Sequence, residues 1–185
     1  MALPAGLGVT TEVLWRGALL FAVVDLPFVA ILVRRSRHVA FAELKRPLLT
    51  VTLVFWFGLW LWAVSTFWES VYHYVFPTWA RWWLPPLQAA LACLVAWVLW
   101  WLANRVPGQP VLTFLLGGGA WGIASHVIAI VRGVLEKPAM LRGASPVAAV
   151  TLAFFEFTFY WCVILSAALI LRRACERQTP PAASG

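Results

Sequence analysis

Five ionisable side chains lie inside or at the edge of stretches apolar enough to cross a bilayer: Asp25, Glu69, His73, His126 and Glu156. A charge in hydrocarbon costs roughly 2.5–3.5 kcal/mol on insertion scales, so acids and bases at that depth mark functional sites. Their types suit proton transfer, with a carboxylic acid as donor and an imidazole as relay or acceptor. Around them stand 13 Trp among 185 residues. A desolvated indole face attracts a cation by about 2 kcal/mol. Acids beside indoles in dry surroundings are suited to protonating an apolar molecule and holding the cation that results.

Spacing groups these residues. Trp56 and Trp60 are four apart, as are Trp68 and Tyr72, while Trp62, Glu69 and His73 follow one another at seven and four. Such intervals stack side chains on one helix face, so Glu69 and His73 form a candidate acid and relay with Trp62 deeper on the same stripe. The competing reading has Glu69 near the outer headgroups, paired with His73 or Arg81. Glu156 lies about mid-depth in the last apolar segment, with Tyr160 one turn on. Unpaired and ionised it would be very costly there, so it is expected to be neutral or paired with His126 or His73.

His126 follows Gly117-Gly118-Gly119 and Gly122. Gly118 and Gly122 form a G-x-x-x-G pair that lets a neighbouring helix approach closely, and His126 would face the groove they clear. Its plainer role is a hydrogen bond to a neighbour. Asp25 precedes Pro27, which frees a backbone carbonyl one turn back, so organising that kink competes with chemistry. Trp62, Trp97, Trp121 and Trp161 lie deep and are candidates to line a substrate cavity with Tyr160. Trp79, Trp82, Trp83, Trp100 and Trp101 fit an interfacial aromatic belt, and Glu12 with Arg16 an interfacial ion pair.

The elements that must position these residues follow from composition. The chain is 63% hydrophobic and 11% charged, with mean hydropathy +0.85; soluble domains run about 45–50% and about 25%. About 20 apolar residues span a bilayer. Five segments qualify, at about 12–33, 48–76, 85–104, 111–132 and 146–171, and no strand alternation competes. The expected fold is therefore an all-α integral membrane protein, a bundle of five transmembrane helices forming one domain over 1–177. Residues 178–185 read as a flexible tail, and Glu136–Ser145 as a short lid over the outer mouth. Met1–Thr11 lacks the basic region of a signal peptide.

The net charge of +7 is no nucleic-acid signal, because the basic residues flank the apolar segments. With the N-terminus outside, inward loops hold Arg34, Arg35, Arg37, Lys45, Arg46, Arg105, Arg172, Arg173 and Arg177. Outward regions hold Arg16, Arg81, Arg132, Lys137 and Arg142. That excess favours N-out and C-in, in a bacterial inner membrane. Cys93, Cys162 and Cys175 show no C-x-x-C spacing, so no disulfide framework is expected. With His38 in a basic loop, His73 and His126 allow at most one bis-His haem. No Glu-x-x-His pairs, P-loop, nucleophile elbow or dinucleotide fingerprint occur. No metal or cofactor is expected, and the scarcity of polar side chains argues against a wide aqueous pore.

The order of spans, Phe67-Trp68-Glu69 late in the second, the glycine-rich Gly117–His126 and the aromatic run Phe154–Trp161 together resemble the emopamil-binding-protein/EXPERA superfamily. That superfamily includes the sterol isomerase, and the membrane-bound meroterpenoid cyclases look similar. The resemblance covers roughly residues 48–173. It implies an intramembrane acid that protonates an alkene, and Trp faces that hold the carbocation. By position Glu69 corresponds to the acid of the second helix and Trp161 to the aromatic of the fifth. The chain departs from the sterol isomerase in placing His73 one turn after Glu69 rather than before it. Its third span also has no acid, so Glu156 or His126 would replace that group.

The leading expectation is a membrane-embedded isomerase or cyclase acting on an isoprenoid- or sterol-like lipid. The alternative is a non-catalytic small subunit of a respiratory or photosynthetic complex, holding pigment, quinone or lipid. A proton-coupled transporter is a third, disfavoured by the lack of an internal repeat. The apolar exterior also suits a homodimer or a place in a larger membrane assembly.

Overall fold

In hydrocarbon every backbone N–H and C=O must be satisfied within its own segment, so long apolar runs become helices. The structure, a computed structural model, describes residues 11–36, 40–66, 81–131 and 145–178. They form α1 (Thr11–Ser36), a 3-10 turn (Phe41–Leu44), α2 (Lys45–Thr66), α3 (Leu84–Arg105), α4 (Pro110–Val131) and α5 (Pro146–Gln178). No strand occurs among the described residues. α2, α3 and α4 each have 22 residues. At 1.5 Å per residue that is about 33 Å, matched to a hydrocarbon core of about 30 Å. Five helices are long and apolar enough to cross a bilayer. The chain is an integral membrane protein with an all-α, five-helix architecture.

Helix ends carry recognisable signals. α3, α4 and α5 start at or beside Pro85-Pro86, Pro110 and Pro146, where a missing N–H costs nothing. The turn between α3 and α4 passes through Gly108 at φ 102°, a conformation that side chains resist. α5 runs to Gln178, beyond the span expected to stop near Leu171. The charges from Arg172 onward end the apolar span but are good helix formers, so the helix continues past the hydrocarbon. Continuation of α2 to Phe76, the Glu136–Ser145 lid and the 178–185 tail fall wholly or mostly outside the described residues.

α2 packs on α3, α3 on α4, α4 on α5 and α5 back on α2, closing a ring of four helices. α1 lies outside that ring, against α5 and α4, which makes α5 the central element. On α3 the inward stripe is Ala89, Ala92, Ala96, Leu99 and Ala103, alternating by three and four as helix–helix seams do. Hydroxyls within the spans fold back on their own helices: Thr52 donates to the Leu48 carbonyl at 2.7 Å, and Thr158 and Ser166 to those of Phe154 and Cys162 at 2.8 Å. They are thereby satisfied without water.

At the end of the bundle where α5 closes, Arg172 ion-pairs with Glu43 of the 3-10 turn and, at 2.7 Å, with Glu176. Trp100 Nε1 donates to the Phe41 carbonyl at 3.1 Å, and Lys45 Nζ sits 5.2 Å from the Trp100 ring centroid. These contacts pin the entry of α2 to α3 and α5.

Candidate functional site

The glycines of α4 set the geometry of the site. A Cβ on Gly118 would overlap the pyrrole ring of Trp161. On Gly119 it would meet Thr158 and Phe154, and on Gly122 the base of the Phe157 ring. The groove cleared by Gly118 and Gly122 thus receives aromatic rings of α5 rather than a bare helix backbone. Missing side chains on one helix are filled by the largest side chains of the next.

Trp161, fully buried, meets Phe114 edge-on at 5.4 Å and Trp56 of α2 at 6.4 Å. Trp56 in turn lies 5.6 Å from Phe157 and 5.8 Å from Tyr160, with Phe55 also 5.8 Å from Tyr160. An aromatic layer therefore runs from α4 through α5 to α2. The indole N–H groups of Trp56 and Trp161 are buried within it and meet no acceptor. Unmatched buried donors are uncommon, since each forgoes the hydrogen bond it had in water.

Two polar groups border this layer. Tyr160 donates its hydroxyl to Glu156 Oε1 at 2.6 Å, one turn apart on α5, and both side chains are half-buried. On α4, His126 is half-buried, with Nδ1 3.0 Å from the Gly122 carbonyl and its ring edge-on to Phe157 at 5.4 Å. A carbonyl only accepts, so Nδ1 is the donor in this contact. Phe157 touches both His126 and Tyr160, the latter at 5.7 Å. One ring thus links the two polar ends of the site.

The remaining sequence candidates divide. Trp121 is half-buried against the core, beside the layer. Trp62 is 55% exposed and Trp97 42% exposed, both outside the closely packed interior. Asp25 is buried on α1, and Phe21 and Phe28 on either side of it both pack on Phe159 of α5. Glu12 and Arg16 form the interfacial ion pair that their spacing implies, at 2.5 Å. Trp82 and Trp83 are exposed at the start of α3, as belt residues are. Glu69, His73, His38 and Trp79 lie outside the described residues.

Trp56, Phe55 and Phe157 were not singled out from sequence as site residues, although they form the centre of the layer. Their signal was weak, because α2 and α5 are apolar on every side and no polar face shows which stripe turns inward. No family model, curated protein or solved structure matches the chain.

Proposed function

We propose that the protein is a membrane-embedded isomerase or cyclase acting on an apolar isoprenoid- or sterol-like substrate. The observation that carries this reading is the Tyr160–Glu156 hydrogen bond at the border of an aromatic layer. In it Glu69 donates a proton to an alkene carbon, with His73 as its relay. The cation formed is held by indole faces, with Trp121 on α4 and Trp62 on the outer part of α2. A neighbouring carbon then loses a proton to Glu156 or to His126 Nε2, and the double bond reforms one position along. Tyr160 holds one Glu156 oxygen and leaves the other to accept. The net change is an isomerisation, or a ring closure where a second alkene captures the cation first. The excess of basic residues on one side supports an orientation with the N-terminus outside and the C-terminus inside, in a bacterial inner membrane.

A second reading is favoured by one feature. A histidine whose Nδ1–H is committed to a backbone carbonyl presents Nε2 as metal ligands do. His126 could so ligate haem or chlorophyll in a pigment- or quinone-binding small subunit. One experiment separates the two: an absorbance spectrum and mass spectrometry of the organic extract, on protein purified in mild detergent. A colourless protein carrying a prenyl lipid or sterol supports the isomerase or cyclase. A visible chromophore lost in His126→Ala overturns it in favour of the subunit.

A further inference from the structure

Asp25 is the single aspartate of the chain, and it sits in the middle of α1. It is 1% exposed, and neither carboxyl oxygen has a hydrogen-bond partner among the described residues. Its neighbours on the same helix face are Phe21, four residues before, and Phe28, three after. Phe159 of α5 packs on both, at 6.5 Å and 6.2 Å, and so roofs the carboxyl between them. The Cys162 thiol, three residues further along α5, is within electrostatic range of Asp25. At about 100° per residue, Tyr160 points about 160° and Glu156 about 120° away from Cys162 on α5, so the Glu156–Tyr160 pair is turned away from the Cys162 side of that helix.

Among the described residues, the groups around Asp25 offer it no counter-charge. Across the seam α5 contributes Cys162, which can only add negative charge. The one titratable residue of α4 is His126, and it packs on Phe157. On α1 itself, Arg16 is paired with Glu12, and Arg34 and Arg35 stand at the far end of the helix. An ionised carboxylate with both oxygens dry and unpartnered is prohibitively costly, whereas a neutral acid is tolerated. α1 is also the helix outside the four-helix ring, held by α5 and α4 alone among the larger contacts. It is the element whose displacement disturbs the bundle least.

We propose that Asp25 is a mid-membrane proton-binding site, separate from the Glu156–Tyr160 pair, whose bound proton is required for α1 to seat against α5. Loss of that proton places a bare charge under Phe159 and drives α1 off the seam. The proposal does not depend on the function assigned to Glu156.

Because the chain has one aspartate, its carboxyl signal is assigned without mutation. Protein made with 13C-labelled aspartate is reconstituted in lipid bilayers, and the side-chain carboxyl signal is followed by solid-state NMR across a pH series. The expected result is a single carboxylic-acid signal at low pH that converts to carboxylate at high pH. Amide protection over Thr11–Ser36, taken relative to the intrinsic exchange rate at each pH, should fall over the same interval and in no other helix. In Asp25→Asn, which keeps the shape without the titration, α1 protection should stay high across the series. A carboxylate signal at every pH would overturn the proposal, since it would mean a cationic partner. So would α1 protection in wild type that is unchanged while the carboxyl titrates.

Discussion

The pyrrole ring of Trp161 rests on Gly118, so closely that a methyl group at Gly118 would occupy the same space. The atoms in conflict are Cγ, Cδ1 and Nε1, at the root of a buried side chain rather than at its free end. The ring cannot swing aside without disturbing Phe114 and Trp56. Gly→Ala in a helix ordinarily gains about 1 kcal/mol of backbone propensity, but overpacking costs typically 1–3 kcal/mol. Gly118→Ala should therefore lower stability by up to about 2 kcal/mol, read as a lower thermal midpoint in detergent. A midpoint at or above wild type would show that the aromatic layer is not packed as described.

Gly58 supplies the opposite case. It lies on α2 in a shallow apolar groove lined by Leu53, Val54, Phe57, Pro86 and Ala89, and a Cβ there would have nothing within 4 Å. Gly58→Ala should raise stability by up to about 1 kcal/mol through propensity alone. Thermal midpoints of the two alanine variants, measured side by side, should move in opposite directions.

These two glycines also show what could be read from sequence. The spans were legible because hydrocarbon admits so few backbone solutions, and each described helix falls where apolar length demanded one. The Gly118–Gly122 pair correctly announced a close approach. It could not say that rings of α5 would fill the hollow, because that depends on which helix lies opposite. Trp56 and Trp62 looked alike on α2, yet Trp56 is in the core and Trp62 is half-exposed. A helix greasy all round carries no contrast to orient it. Asp25 was legible as anomalous, but its burial at the seam of α1 with α5 was not.

The contacts of Arg172 and Trp100 lead to a prediction at the end of the bundle where α5 closes. Arg172 is 22% exposed and holds Glu43 and Glu176, while Trp100 donates to the Phe41 carbonyl. Exposed ion pairs contribute about 0–1 kcal/mol each, and salt weakens them. Arg172→Met should cost about 1 kcal/mol, with a deficit that shrinks at high salt. Trp100→Phe removes one neutral hydrogen bond, at about 1 kcal/mol, with no salt dependence. Unfolding of both variants at low and high salt distinguishes the two contributions. Equal salt dependence would show that the ion pairs do not form the clamp.

The sharpest functional prediction concerns Tyr160 and Glu156. If Glu156 accepts the proton, Glu156→Gln keeps size and shape but removes the acceptor, and positioned acid–base groups contribute typically 10²–10⁴-fold. Turnover of the lipid that co-purifies with the protein should fall by about that factor while binding persists. Tyr160→Phe removes the hydrogen bond that orients Glu156 Oε1 and leaves the carboxylate in place. A loss of about 1.4 kcal/mol is tenfold in rate, so this variant should lose about tenfold in kcat with little change in KM. The double variant should be no slower than Glu156→Gln alone, because the tyrosine acts through the carboxylate. Independent, multiplicative losses would place Tyr160 on the substrate itself. Full turnover in Glu156→Gln would remove Glu156 from the chemistry and leave Glu69, His73 and His126 as its candidates.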